Sequence, residues 1–196
     1  GVKIKFDDST EQIYISSELK IKREGKKLII NSPHDFPFFN WFDEPDHRMV
    51  IGTANKYSNL KINAGGIEVT GEIKADKITL NARGIDIEAG FYGKQVIING
   101  GGINITGKIE AEELELNGAG MDINLDLLGT KTISLKGAGM DVNLKYLDSW
   151  TKTRYIAMDG IGGDLSVLVP SSNDRFEKGR LDIDTSGIID TDIDKY

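Results

Sequence analysis

The sequence repeats itself about every 18 residues through its middle two-thirds, and this period restricts the possible folds more than any other feature. Each repeat begins with a Gly that precedes an apolar residue, and successive marker glycines are 18, 18, 18, 19 and 23 residues apart. The marker glycines are Gly66, Gly84, Gly102, Gly120, Gly139 and Gly162. Regular self-similarity along a chain is the signature of a stacked repeat architecture.

Three short groups of apolar residues recur inside each repeat. In the second repeat they are Ile85 with Ile87, then Phe91, then Val96 with Ile98. Alternating apolar and polar residues indicate a strand with one buried face. Three such strands separated by corners form one triangular turn of a parallel β-helix, in which equivalent residues of successive turns stack about 4.8 Å apart. We therefore predict an all-β, single-stranded parallel β-helix (β-solenoid) with about 18 residues per turn.

One corner of the predicted turn carries Asn in four successive repeats. These residues are Asn63, Asn81, Asn99 and Asn117. Asn tolerates a left-handed backbone, and stacked Asn side chains can hydrogen-bond along a column. We interpret the four residues as a structural corner, with an Asn-lined binding site as the alternative.

The two ends of the chain depart from the period. Residues 1–58 predict short strands, and an exposed parallel edge promotes aggregation, so we expect this region to be an N-terminal β cap packed on the solenoid. Residues 59–196 are predicted to form the solenoid, with 165–170 and 180–193 in its last turns. The whole chain is expected to be one structural domain.

An aromatic-rich stretch lies inside the predicted cap. Its five aromatic residues are Phe36, Phe38, Phe39, Trp41 and Phe42. We expect them to plug the open end of the core, and an exposed patch that binds a partner is the alternative.

Composition excludes several kinds of partner. The formal net charge of −7 argues against nucleic acid, whose phosphates require clustered Lys and Arg. No stretch reaches the roughly 20 apolar residues of a transmembrane helix, so we expect no such segment. The chain has no Cys, which excludes disulfides and thiolate metal ligands. It opens at Gly1 rather than Met, which leaves open the removal of an upstream segment.

Residues typical of catalysis or metal binding are few. His34 and His47, with nearby Asp and Glu, could bind a divalent ion, but their spacing fits no metal motif and a solvated acidic loop is the preferred interpretation. No nucleophile elbow, zinc-protease motif or P-loop occurs. We therefore predict that the protein is not an enzyme and has no catalytic, metal-binding or cofactor-binding residues.

Acidic residues are expected to stack on the outside of the solenoid. The predicted outward column contains Glu68, Asp86, Asn104, Asp122 and Asp141, and the C-terminal tail adds five further Asp. We interpret both as solvated faces, with Ca²⁺ binding as the alternative.

The repeats resemble those of a known family. The stretches Leu60 to Val69 and Gly163 to Pro170 are similar to the rungs of DUF4097, a bacterial adhesin-like family of unknown function. The resemblance covers about residues 58–193, although this chain has Asn-Ala-Gly where the family often has Ser-Gly. It implies a right-handed solenoid, bacterial origin and frequent association with the cell envelope, and it supplies no catalytic residues. Bactofilins, cytoskeletal triangular β-helices that assemble end to end, are the competing resemblance, although the long N-terminal region here would obstruct such assembly.

The leading functional hypothesis is a non-catalytic module of the cell envelope or cell surface. It would present an elongated face to a protein or glycan partner, as a monomer or small oligomer, and a cytoplasmic location is the alternative. A self-assembling structural protein is the second hypothesis. A carbohydrate-active β-helix enzyme is the third, and it would require a cleft with clustered acids.

Overall fold

Parallel strands dominate the computed structural model, which describes residues 1–15, 19–32, 47–150, 152–171 and 181–196. These residues contain twelve strands and no helix. The strands join in one sheet whose long members are all parallel. The predicted β-solenoid is therefore confirmed. No helix able to cross a membrane is found in this part of the chain.

The strands lengthen from the N-terminus to the repeats. Their bounds are β1 Val2–Asp7, β2 Ile13–Ile15, β3 Lys20–Glu24, β4 Lys27–Asn31, β5 His47–Gly52, β6 Tyr57–Asn63, β7 Gly66–Tyr92, β8 Gln95–Glu110, β9 Glu113–Leu128, β10 Thr132–Tyr146, β11 Arg154–Val169 and β12 Leu181–Lys195. Each strand from β7 onwards runs around more than one face of the turn, so successive strands stack as rungs.

The register between rungs matches the repeat read from the sequence. Gln95 lies opposite Glu113, Glu113 opposite Thr132, and Thr132 opposite Tyr155. The spacings within these pairs equal the last three intervals between the marker glycines, including the two longer ones. Every side chain consequently meets its equivalent one rung above, and apolar positions form continuous inward columns.

A single apolar core fills the interior from the first strand to β11. The column seven residues after the marker glycines illustrates its packing: Phe91, Ile109, Leu127 and Tyr146 stack directly and are all fully buried. Fully burying a side chain of this size contributes about 1.5–3 kcal/mol. The core is therefore the main stabilising feature of the fold.

The N-terminal strands are themselves rungs of this sheet. Strand β1 pairs in parallel with both β5 and β7, so that Val2 lies between His47 and Ile67. Strand β4 pairs in parallel with β6. The short antiparallel strands β2 and β3 then cover the outer edges of β5 and β4. Strand β5 was not among the strands expected from the sequence.

The opposite end of the solenoid is formed by β12. It pairs in parallel with β11 along its whole length, and no other described strand pairs with it. Its side chains are mostly exposed: Ile193 is 39% exposed, whereas Val167 beneath it is fully buried. The outer edge of β12 is thus unpaired among the described residues.

The Asn corner forms a ladder of side-chain hydrogen bonds. Each amide nitrogen donates to the amide oxygen of the preceding rung at 2.7–2.8 Å, from Asn117 through Asn99, Asn81 and Asn63 to Asn31. The structural interpretation of the corner is confirmed, and Asn31 extends it beyond the repeats. No described residue other than Gly has positive φ, so tolerance of a left-handed backbone does not explain these Asn residues. Hydrogen bonding between rungs accounts for the Asn.

Candidate functional site

An open groove of about 720 Å³ runs along one edge of the solenoid, across five successive rungs. We call it the glycine groove. It is lined by the backbone of Gly66, Gly84, Gly102 and Gly120, by the outward side chains of Glu68, Asp86, Asn104 and Asp122, and by residues 1–3 at one end. With rungs about 4.8 Å apart, its length is about 19 Å. This shape fits an extended chain lying parallel to the solenoid axis.

The groove exists because its floor lacks side chains. A Cβ atom added to Gly84, Gly102 or Gly120 would have nothing within 4 Å, and none of these residues has positive φ. Neither packing nor backbone conformation therefore requires Gly there. The corner beside the Asn ladder differs, since a Cβ at Gly137 would lie 1.8 Å from the carbonyl oxygen of Gly118. The groove glycines are thus free of the steric constraint that applies to the corner glycines.

One wall of the groove is negatively charged. Its outward residues continue beyond the groove as a column that the strand register defines: Asp86, Asn104, Asp122, Asp141, Asp164 and Asp190. We call this the carboxylate column; it is two rungs longer than the sequence analysis identified. Carboxylates at this spacing repel one another modestly in water. A cationic partner would relieve that repulsion.

Hydrogen bonds and ion pairs moderate the negative charge at particular rungs. Asn104 donates from Nδ2 to Oδ1 of Asp86 at 3.1 Å, and Asn143 donates to Oδ1 of Asp141 at 3.2 Å. At the N-terminal end, Lys3 Nζ lies 3.0 Å from Glu68 Oε2. The charges of the wall therefore cancel beside β1, and the wall becomes acidic towards β12.

A second polar cluster lies around Tyr92, on a different face. Lys74 and Lys108 have their ammonium groups 5.9 and 6.0 Å from the centre of its ring. Its hydroxyl lies 3.3 Å from Glu72 Oε1. Partial burial, followed by the negative charge of Glu72, raises the pKa of Tyr92. The cluster ties adjacent rungs together.

A third cluster is buried beside the long connection between β10 and β11. Arg154 is 5% exposed and stacks on the rings of Trp150 and Tyr146, at 4.2 and 4.9 Å. Burial raises the pKa of the Tyr146 phenol, whose hydroxyl is itself buried without a hydrogen-bond partner. The glycine groove includes no residue of this cluster. We interpret the cluster as a structural plug.

The residues singled out from the sequence are only partly placed. The aromatic stretch, with Phe36, Phe38, Phe39, Trp41 and Phe42, lies outside the described residues, as does His34. His47 lies in β5 beside Val2. No group of three or more His, Asp or Glu positioned to hold a metal ion occurs in the described ranges. The carboxylate column is the predicted feature that the structure assembles into a continuous surface.

Sequence reasoning did not identify the groove. The marker glycines served only to define the repeat, and their lack of side chains was not considered as a surface feature. The sequence signal that could have revealed the groove is a Gly in every repeat, followed two positions later by an outward and usually acidic residue. Comparison with protein-family models, curated proteins and solved structures finds no match to this chain. The resemblance to DUF4097 and the competing one to bactofilins therefore stay predictions.

Proposed function

We propose that the protein is a non-catalytic interaction scaffold that binds an extended, positively charged protein segment in the glycine groove. The observation that carries this proposal is the groove itself. Its floor is bare backbone at Gly84, Gly102 and Gly120, where side chains would fit without strain. Its wall carries Glu68, Asp86 and Asp122.

The chemistry of the groove favours a protein segment over a glycan. Sugar recognition commonly uses aromatic rings for stacking, and none of the described residues that line the groove is aromatic. A row of carboxylates along the groove suits an extended peptide with Lys or Arg side chains. Such charge-assisted hydrogen bonds are stronger than neutral ones.

A place in the bacterial cell envelope, or on the cell surface, belongs to the same proposal. It rests on the resemblance of the repeats to DUF4097 and on analogy between folds. The binding proposal is based on the residues of the groove and does not depend on where in the cell the protein is found.

The test is the binding of a fluorescently labelled Lys-Gly repeat peptide, followed by anisotropy, with a Glu-Gly peptide as the charge control. We expect Asp86→Asn with Asp122→Asn to weaken binding at least about tenfold, a change of about 1.4 kcal/mol. Gly102→Gln should weaken it similarly by filling the floor, since its Cβ meets open space and the fold is retained.

The matched control removes two exposed carboxylates elsewhere, as Asp126→Asn with Asp159→Asn. This variant has the same net charge as the groove variant, so nonspecific attraction of the peptide would be reduced equally in both. Equal loss of binding in the two variants, or undiminished binding by Gly102→Gln, would contradict a site in the groove.

A further inference from the structure

The two ends of the solenoid carry opposite charges. At one end, residues 20–27 of the β3–β4 hairpin contain five basic residues and one Glu. At the other end, residues 181–195 of β12 contain five Asp and one Lys. The basic residues are Lys20, Lys22, Arg23, Lys26 and Lys27, and the Asp residues are Asp182, Asp184, Asp190, Asp192 and Asp194. Residues 20–27 therefore have a net charge of +4, and residues 181–195 one of −4.

These charges are available to a partner. All five Asp side chains of β12 are exposed, and no ion pair joins them to a described basic side chain. Lys20, Lys22, Arg23 and Lys26 are also exposed. Lys22 contacts Glu24 at 2.7 Å, which neutralises the single carboxylate of the hairpin. The basic end is therefore positive overall.

Both ends of the described stack have a strand edge with which no described strand pairs, and one of these edges belongs to the N-terminal region that was expected to obstruct end-to-end assembly. Among the described strands β3 pairs only with β4, and β12 pairs only with β11. The outer N–H and C=O groups of such strands are free to pair with another chain. Ile183 and Ile193 on β12 are partly exposed although they stack on the buried core residues Ile156 and Val167.

The two edges lie on the same face of the solenoid. Following the register from rung to rung, Lys22 stands in the same column as Asp184, and both point outward. Ile21 and Ile183 both belong to the inward side, opposite Ile30 and Ile156. A second copy stacked along the axis in this register brings Lys22 opposite Asp184, but it also brings Glu24 opposite Asp182 and Ile21 opposite Thr185. A register shifted by two residues instead brings basic against acidic residues and Ile21 opposite Ile183.

We propose that the protein associates head to tail with a second copy of itself, through antiparallel pairing of β12 of one copy with β3 of the next. In-column stacking places Lys22 opposite Asp184. A shift of two residues, which keeps every side chain on its face, places Lys22 opposite Asp182 and Lys20 opposite Asp184. Opposite charges across antiparallel strands are favourable. Because the two contacting surfaces differ, the association can continue in an open chain.

The acidic residues of β12 also have a simpler role, which is to prevent two β12 edges from pairing with each other. Charged residues on an edge strand prevent pairing with identical edges. That role accounts for the repulsion between two β12 strands, but it does not account for a basic edge at the other end on the same face. The association uses different residues from the peptide-binding face of the glycine groove and stands independently of it.

The test is sedimentation velocity at low ionic strength, repeated in about 1 M NaCl, where charges are screened beyond about 3 Å. We expect the mass to rise above the monomer value of 21.5 kDa with increasing concentration, and to return to it in high salt. Asp182→Lys with Asp184→Lys should remain monomeric, and so should Lys20→Glu with Lys22→Glu. An equimolar mixture of the two variants should associate again, because each supplies the complement of the other.

Glu88→Lys with Asp126→Lys is the matched control, which makes the same change of charge at exposed positions of central rungs and should associate like the unmodified protein. Circular dichroism checks that each variant is folded. If a charge-reversal variant does not fold, Asp182→Asn with Asp184→Asn replaces it, and this milder variant should weaken association. A monomer at every concentration in low salt would overturn the proposal. So would association that survives either reversal, or a mixture of variants that stays monomeric.

Discussion

Arg154 donates two hydrogen bonds to the carboxylate of Asp148, from Nη1 to Oδ1 at 3.1 Å and from Nη2 to Oδ2 at 2.5 Å. The pair joins the start of β11 to the connection that follows β10, and it lies against the rings of Tyr146 and Trp150. This connection makes the interval between Gly139 and Gly162 the longest in the repeat series. A planar guanidinium combines both contacts, which the ammonium of Lys could not do.

Arg154→Met should destabilise the protein. Removing Arg154 leaves the charge of Asp148 uncompensated, and we expect the free energy of unfolding to fall by about 2–3 kcal/mol. The expected loss is smaller than for a fully buried pair because the Asp148 side chain is 25% exposed. The measurement is the urea unfolding midpoint. Lys152→Met, at an exposed position of the same connection, should change it little. Equal effects of the two substitutions would show that the pair does not stabilise the fold.

The same pair makes stability depend on pH. Burial raises the pKa of Asp148, but its hydrogen bonds and attraction to Arg154 outweigh burial and hold the pKa below its ordinary value of 3.8. Because the folded-state pKa is the lower one, this contribution is present above the ordinary pKa and is lost as pH falls through the folded-state pKa. The difference in unfolding free energy between the unmodified protein and Asp148→Asn should therefore shrink below about pH 4. A difference that stays constant down to about pH 2 would contradict this.

The Asn ladder should contribute measurably to stability. Asn99→Leu removes the bond that Asn99 donates to Asn81 and the one it accepts from Asn117, both 2.8 Å long. Leaving partly buried polar groups unpaired costs about 1–3 kcal/mol, which thermal unfolding can detect. Asn124→Leu, at an exposed position on another face, is the control and should cost less. A ladder without energetic importance would give the two variants equal melting temperatures.

Two kinds of Gly should respond oppositely to Ala. Gly137→Ala places a methyl group 1.8 Å from the carbonyl oxygen of Gly118, and displacing that rung should cost about 1–3 kcal/mol. Gly120→Ala meets nothing within 4 Å at ordinary φ. It should be neutral or stabilise by up to about 1 kcal/mol, because Ala restricts the unfolded chain. Chemical denaturation of the two variants compares them directly, and equal destabilisation would refute the distinction between groove and corner glycines.

The assignment of faces can be tested at two neighbouring residues. Ile105 is fully buried, so Ile105→Asp places a charge in the core and should unfold the protein. Asn104 is exposed, so Asn104→Asp should leave the fold intact and reduce its stability slightly by adding a charge beside Asp86 and Asp122. Circular dichroism distinguishes the outcomes. Similar tolerance of both changes would mean that the faces are assigned wrongly.

Several features follow from the sequence by itself. In a parallel stack each residue meets its equivalent one repeat later, so the period determines the register, and alternation determines the face. That is why the inward column ending at Tyr146, the Asn ladder and the lengthened interval before Gly139 could all be predicted. The same logic identified the outward acidic residues from Glu68 to Asp141.

Other features were decided only by the tertiary structure. The insertion of β1 between β5 and β7 joins Val2 to Ile67 and His47, at separations unrelated to the repeat. The local pattern of apolar residues specifies which face of a strand is buried, but it does not specify which neighbouring strand that strand pairs with. The glycine groove likewise depends on the open space around Gly102. The opposite charges of β3 and β12 can attract a second copy only because the stack places these strands at its two described ends. Pairing between strands outside the period, rather than any local sequence signal, creates these surfaces.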